Sequence, residues 1–265
     1  MAEVWCNGIF LDESRATIPI SDRGFTLADG IFETLLAIGD DPLWLDDHLQ
    51  RLRAAAGQLG LHVAYDDAAI GAAIAGLLTR AGLDRAAIRV TLTRGPTSQR
   101  GLWVSDNPGH PTLLITCAPV GKTAPQRVII CRTTRRNEQS PLSRIKSLNY
   151  GDNILARRDA IASGATDALM LNGNGHVACA TVGNVFFNLD GAWVTPPVSD
   201  GILPGLARKR LIERLGVREE SLSSADLQDA AMAFISNSLG CSPIVAIEAR
   251  TLPRVPDESV FSIYG

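Results

Sequence analysis

The chain has 265 residues, a formal net charge of −3, 46% hydrophobic residues and 20% charged residues. Those proportions belong to an ordinary globular protein, and the length suits a sizeable core and two domains. The faint acidity speaks against a nucleic-acid surface, and no apolar run approaches the ~18 residues a membrane span needs.

The short basic clusters Arg132-Thr133-Thr134-Arg135-Arg136 and Arg208-Lys209-Arg210 read as solvated faces or single anion contacts. Met1-Ala2-Glu3-Val4-Trp5 lacks the basic start and apolar stretch of a secretory signal. Cys6, Cys117, Cys131, Cys179 and Cys241 are scattered without a CxxC pair. That pattern predicts reduced thiols in a cytoplasm and neither a disulfide frame nor structural zinc. His48, His62, His110 and His176 are equally dispersed, so no metal site is expected.

Taken in order, residues 3–10 and 12–20 read as short strands about an Asn7-Gly8 turn. Alternation from Gly30 to Ala37 predicts a further strand. Asp46 and Asp47 open a helix with Leu49, Leu52, Ala56 and Leu59 on one face, and Gly60 stops it. An alanine-rich helix is expected over 67–81, then strands at 87–94 and 111–118. Turn formers crowd Ala118-Pro119-Val120-Gly121-Lys122-Thr123-Ala124-Pro125, which divides the chain into domains 1–118 and 126–265 with a linker at 119–125.

The second half predicts a strand at 127–133, a helix at 150–163, and strands at 167–171, 176–179 and 184–188. Asn172-Gly173-Asn174-Gly175 is a turn, and Leu203-Pro204-Gly205 introduces a helix at 206–215. A helix at 224–231 then leads to strands at 232–236 and 244–248. Strand and helix mix without a steady βαβ rhythm, so the fold class is α+β.

One lysine stands out. Ile145-Lys146-Ser147-Leu148-Asn149-Tyr150 sets it among apolar neighbours ahead of a helix. Those six residues by themselves suit an exposed lysine at a helix start, which is the commoner case. They also suit a desolvated amine, which loses its proton more readily and then condenses with a carbonyl.

Further motifs run along nearly the whole chain: Ser21-Asp22-Arg23-Gly24-Phe25, Asp29-Gly30-Ile31-Phe32-Glu33-Thr34, His48-Leu49-Gln50-Arg51-Leu52, Arg94-Gly95, Gly183-Asn184-Val185-Phe186, Leu203-Pro204-Gly205 and Ser236-Asn237-Ser238-Leu239. In this order, with the lysine, they resemble the class IV aminotransferases, the fold type IV group of pyridoxal phosphate enzymes. The group includes branched-chain and D-amino acid aminotransferases and 4-amino-4-deoxychorismate lyases. The resemblance implies a small N-terminal α/β domain, a larger C-terminal pseudo-barrel domain and a homodimer. It also implies pockets between the domains and an Arg100 loop supplied by the partner subunit.

By the same resemblance Lys146 attaches pyridoxal 5'-phosphate and moves the proton at the substrate α-carbon. Arg51 is implied as the phosphate-binding arginine, a role that suits a planar fork of donors. Without the motif it reads as an exposed helix arginine, and His48 is either its buttress or a solvated side chain. Leu206 and Ala207 offer backbone N–H groups at a helix start, where unpaired donors face an anion. Relatives often place threonine where this chain has Ala207. Ser238 matches a phosphate-side hydroxyl, or is an ordinary turn residue.

Cys179 stands where most relatives place a glutamate that protonates the pyridine nitrogen. Three consequences are open: chemistry that tolerates a neutral ring, another group in the role, or weak activity. Arg94 and Arg100, in Arg94-Gly95-Pro96-Thr97-Ser98-Gln99-Arg100-Gly101-Leu102-Trp103, are expected at a substrate carboxylate, unless that stretch is a solvated connection. Phe32 is expected at the substrate, where many transaminases place tyrosine. Leu102 stands where D-amino acid enzymes place histidine.

Arg100-Gly101, Asn237-Ser238-Leu239 and the short length incline the resemblance to aminodeoxychorismate lyase, which makes 4-aminobenzoate and pyruvate for folate synthesis. The alternatives are an aminotransferase using branched-chain or D-amino acids with 2-oxoglutarate, and a catalytically weak cofactor-binding protein.

Overall fold

A computed structural model describes residues 3–99, 101–102 and 110–264. The chain divides into two compact units, Met1–Gly121 with Lys146–Leu148, and Lys122–Ile145 with Asn149–Gly265.

Among the described residues the first unit is built on a six-stranded sheet. Its strands are β1 (Glu3–Cys6), β2 (Ile9–Asp12), β3 (Gly30–Ile38), β4 (Asp41–Pro42), β5 (Arg85–Thr93) and β6 (Thr112–Pro119), with helices α1 (Arg23–Leu27), α2 (Leu45–Leu59) and α3 (Asp67–Ala81). The sheet order is β2-β1-β6-β5-β3-β4. β3 and β5 pair antiparallel without interruption from Gly30↔Thr93 to Ile38↔Arg85. The two long helices behave as their periodicity dictates. α2 buries Leu49, Leu52, Ala55 and Ala56, and α3 buries Ile70, Ala73, Ile74, Leu77 and Leu78. Each fully buried Leu or Ile is worth roughly 1.5–3 kcal/mol.

Of the strand expected over residues 12–20, Asp12 alone is strand, as the last residue of β2. The Asp12 carboxylate accepts the Ser14 N–H at 2.8 Å and starts a 3-10 turn over Glu13–Arg15 instead.

The second unit contains β7 (Gln126–Ile130), β8 (Asp167–Leu171), β9 (Val177–Ala180), β10 (Asn184–Leu189), β11 (Ala192–Thr195), β12 (Arg218–Glu219), β13 (Met232–Asn237), β14 (Gly240–Ile247) and β15 (Arg250–Thr251). Its helices are α4 (Gly151–Ala162) and α5 (Leu206–Leu215). The sheet runs β12-β11-β10-β13-β14-β7-β8-β9, with β15 on β14. β9 passes directly into β10 through a turn in which the Ala180 N–H donates to Gly183 O at 2.9 Å. Strands distant in the sheet order therefore meet, and the sheet curls into a half-barrel. Phe187, Val185, Leu169, Val177, Ile235 and Ile244 fill its core. The helix expected over 224–231 shrinks to a 3-10 turn at Asp226–Asp229, because Ala230 is extended and leads into β13. No helix among the described residues is long and apolar enough to cross a membrane.

Asp22 organises the first unit before the lysine site. It is fully buried, caps α1 through the Gly24 N–H at 2.7 Å, and accepts the hydroxyls of Thr93 at 2.9 Å and Thr112 at 2.6 Å. Asp22→Ala removes a cap and orphans two buried hydroxyls. It is expected to lower stability by about 2–4 kcal/mol, measured by urea unfolding at neutral pH.

Candidate active site

The lysine segment is held by backbone pairing. Phe32 N–H donates to Lys146 O at 2.8 Å and Leu148 N–H donates to Gly30 O at 2.9 Å, with Ile31 and Ser147 bridged between. Lys146–Leu148 thus lies antiparallel along β3 through a single bridge at Ser147. Gly30 is required there: a Cβ would stand 2.7 Å from Leu148 Cδ1 and 2.6 Å from Leu92 O.

The lysine side chain lies against an aromatic ring. Lys146 Nζ is 4.0 Å from the Phe32 ring centroid, and the Arg89 guanidinium carbon is 3.7 Å from the same centroid. Phe32 itself is buried. Beside them sits Glu33, only 1% exposed. Arg51 Nε donates to Glu33 Oε1 at 2.8 Å, and Arg51 Nη2 to Oε2 at 2.8 Å. His48 Nδ1 lies 2.7 Å from Oε2.

Burial by itself would push the Glu33 carboxyl up, but the hydrogen bonds and charges of Arg51 and His48 bring it down to about 2. Burial lowers His48 as well, overcoming the opposing pull of Glu33. A neutral imidazole beside a carboxylate must donate from Nδ1, which leaves Nε2 a buried acceptor; Nε2 finds no partner among the described residues.

Burial is also the largest influence on Lys146. Glu33 opposes it, Arg51 and Arg89 assist it, and the amine falls from 10.5 to about 8. At pH 7 about a tenth of such an amine is neutral, roughly 300 times the fraction for a solvated lysine.

Arg94 does not stand open to a ligand. Its Nε and Nη2 donate to Asp29 at 2.8 and 3.2 Å, Nη1 to Gly60 O at 2.8 Å, and Nη2 to Leu59 O at 2.7 Å. The side chain ties the end of β5 to the end of α2. This departs from the substrate contact expected of it. Arg23 donates to the same Asp29 at 2.8 Å and to Gly101 O at 3.1 Å. Arg100 lies outside the described residues.

In the second unit, three backbone segments are pinned together by two asparagines. Asn184 Nδ2 donates to Leu203 O at 2.9 Å, and a Cβ on Gly205 would stand 2.2 Å from Asn184 Oδ1. Asn237 Oδ1 accepts the Leu239 N–H at 2.8 Å, and its Nδ2 reaches Val182 O at 3.3 Å. Gly183 lies so near β13 that a Cβ would meet Ser236 O at 2.5 Å.

α5 starts at Leu206 behind Gly205 with no side-chain cap, so its first N–H groups stay available to an anion. Ala207 is buried, leaving its backbone as the usable donor; Leu206 and Ser238 are half-buried. Ser236 Oγ is buried without a partner among the described residues. Uncapped N–H groups, a cradle that tolerates no extra Cβ and an orphaned hydroxyl fit a phosphate group. The buried amine of Lys146 fits an aldehyde. Each unit by itself thus carries groups that suit one end of pyridoxal phosphate.

Cys179 lies in β9 opposite Met170, packed with Cys131, Ala156 and Ile202. Burial pushes its thiol up; Arg136 pulls it down and Asp167 pushes it further up. The thiol is neutral. Asp167 is itself committed to Arg157 at 3.0 Å, the Thr181 hydroxyl at 2.6 Å and the Ala168 N–H at 2.7 Å. Arg208, read from sequence as solvated or anion-binding, is buried and joins Pro196 O to Glu219. All five cysteines are free, and the described residues contain no cluster able to hold a metal.

Sequence reading assigned no role to Glu33 or Arg89. The signal for Glu33 was present: one acid inside an otherwise apolar strand, and His48 with Arg51 one helical turn apart. Arg89 gave no comparable sign, because its position follows from the β3–β5 register.

The family described as amino-transferase class IV matches residues 30–247. A protein assigned as a branched-chain-amino-acid aminotransferase in Methanocaldococcus jannaschii is 30% identical over 262 residues, covering 94% of this chain and 89% of its own. A Thermoproteus uzoniensis branched-chain aminotransferase solved with norvaline superposes with a TM-score of 0.87 at 26% identity, over 96% of this chain and 90% of that one. A structure assigned as a 4-amino-4-deoxychorismate lyase from Legionella pneumophila superposes with a TM-score of 0.84 at 30% identity, over 94% and 93%.

The lowered amine predicts a pH dependence. In full-length protein freed of cofactor, pyridoxal condensation at Lys146 is expected to rise about tenfold per pH unit below pH 8 and level off above it. Stopped-flow absorbance measures the rate, and borohydride reduction with peptide mapping identifies the lysine. A rise continuing to pH 10 would show a solvated amine.

Proposed function

The chain belongs to the class IV aminotransferases, and we propose that within this family it is a lyase of the aminodeoxychorismate type. It would convert 4-amino-4-deoxychorismate into 4-aminobenzoate and pyruvate. The family is pyridoxal phosphate-dependent and acts on small amino-bearing substrates. When bound, the cofactor supplies an electron sink for the charge left at the substrate carbon that loses its proton.

Lys146 attaches the cofactor and, once displaced by the substrate amine, takes that proton and delivers it elsewhere. Its burial beside Phe32 keeps a usable fraction of neutral amine at neutral pH. Arg51, the backbone N–H groups of Leu206 and Ala207, and Ser238 are proposed to take the phosphate. Phe32 lines the substrate side. Arg100 is proposed at the substrate carboxylate, and the proposal includes a homodimer in which the partner subunit brings that loop. Arg94, tied to Asp29 and to the end of α2, is not given a substrate role.

The observation that carries the lyase reading is the neutral thiol of Cys179. Amino transfer runs two half-reactions through the cofactor and leans on a protonated ring nitrogen in both. Elimination of pyruvate makes one pass and ends in an aromatic ring, whose stability assists the step. A site without a free carboxylate at that strand therefore favours elimination. The likeness to the Legionella lyase adds support.

A second reading is an aminotransferase using branched-chain or D-amino acids with 2-oxoglutarate, favoured by the relationship to the Methanocaldococcus protein. A third, a catalytically weak cofactor-binding protein, is motivated by Cys179 and Ala207; buried Lys146 beside Arg51 speaks against it.

Purified protein given aminodeoxychorismate is expected to release 4-aminobenzoate and pyruvate in equal amounts. Lys146→Ala should cut that rate by about 10³-fold or more and abolish the visible band of lysine-bound cofactor. Cys179→Glu should raise amino transfer relative to elimination. Turnover of an amino acid with 2-oxoglutarate, without either product from aminodeoxychorismate, would establish the second reading. Bound cofactor with neither reaction would establish the third.

A further inference from the structure

Glu33 presents a physical puzzle. A carboxylate at 1% exposure costs several kcal/mol to desolvate, and an ion pair of this kind stabilises a fold no better than well-packed apolar residues. Yet Glu33 is held by three short hydrogen bonds: two from the Arg51 fork at 2.8 Å and one from His48 Nδ1 at 2.7 Å. The next residue toward the N-terminus, Phe32, carries the Lys146 amine against its ring and donates its N–H to the Lys146 carbonyl.

The charged and titratable groups acting around this amine come from three elements: Glu33 on β3, His48 and Arg51 on α2, and Arg89 on β5. His48 is neutral, two of the others are guanidiniums, and Glu33 is the anion of this set among the described residues.

We propose that Glu33 is the positioning residue of the lysine site, fixing the Arg51 fork and supplying a buried negative charge one residue along β3 from the ring that carries the Lys146 amine. The proposal rests on Lys146 being the cofactor-bearing lysine, and it adds a requirement to that assignment. A group that both takes and returns a proton works best when both of its forms are populated near the working pH. Burial, Arg51 and Arg89 all drive Lys146 toward the neutral amine. Glu33 opposes them and leaves the protonated form in reach. Its two carboxylate oxygens, accepting from Arg51 Nε and Nη2, also hold the guanidinium in one orientation, as a bidentate pair does.

The test uses full-length protein freed of cofactor and pyridoxal, which lacks the phosphate and so reads the amine alone. The quantity is the condensation rate at pH 6.5 divided by the plateau rate at high pH. Glu33→Gln keeps the shape and removes the charge. It is expected to raise that ratio by at least about three-fold over the wild type, because the amine sheds its proton at lower pH. A merely structural role predicts the reverse, since loosened packing exposes Lys146 and returns it toward a solvated lysine. An unchanged or lowered ratio in Glu33→Gln overturns the proposal.

If Glu33→Gln does not fold, the double variant Glu33→Gln/Arg51→Met removes the ion pair as a unit, a change that buried pairs often tolerate. Its ratio is expected within about two-fold of the wild type, because one charge of each sign is lost. A ratio well below the wild type means that Arg51 acts on the amine and Glu33 does not, which also overturns the proposal. Failure of the wild type to form a borohydride-trapped adduct at Lys146 is a different result: it removes the lysine assignment, and the role of Glu33 with it.

Discussion

The burial of the Lys146 amine depends on two backbone hydrogen bonds between β3 and the segment Lys146–Leu148. They place the lysine Cα beside Phe32 and commit the side chain to a buried ring in place of water. A lysine amine has a strongly hydrated charge, and desolvation is what moves its proton equilibrium by units. The pairing in turn requires a residue without Cβ at Gly30, where Leu92 O and Leu148 both come within 3 Å of the missing atom. A hydrogen at one α-carbon is thus upstream of the reactivity of an amine far along the chain.

Around that amine the first unit arranges charge in layers. Glu33 answers Arg51 and His48; Asp29 answers Arg23 and Arg94; Asp22 answers backbone and hydroxyl donors. Asp22 and Glu33 are buried and Asp29 half-buried, and each is held by several donors, as groups drawn out of water require. The difference between them lies in what stands next door. Asp22 and Asp29 hold loops and strand ends, whereas Glu33 stands beside the lysine. The second unit uses neutral amides for a similar purpose. Asn184 and Asn237 pin turns by their side chains, leaving the start of α5 uncapped and the backbone close to whatever the turns surround.

Much of this was legible in the sequence. α3 was readable to its last residue because Asp66 caps it, Gly82 stops it and its apolar residues recur at helical spacing. β8 and α5 were readable for the same kind of local reason. Residues 12–20 misled because their alternation is that of a strand, while the decisive contact is a carboxylate two residues from the amide it caps. The short strands β11 and β15 were missed because each exists by pairing with a neighbour, β10 or β14, rather than by its own pattern. Arg94 misled differently: its family motif is real, but its donors are taken by Asp29 and by carbonyls at the end of α2.

The sequence by itself determined the α+β class, the long helices and the kinship with class IV aminotransferases, because each rests on local pattern or on motifs in fixed order. Tertiary structure decided how basic the lysine is, which arginines are committed and which acid is buried one residue from the ring that carries the amine. Burial and charge act through space, and residues 33, 51, 89 and 146 become neighbours once the strands pair and α2 lies on β3.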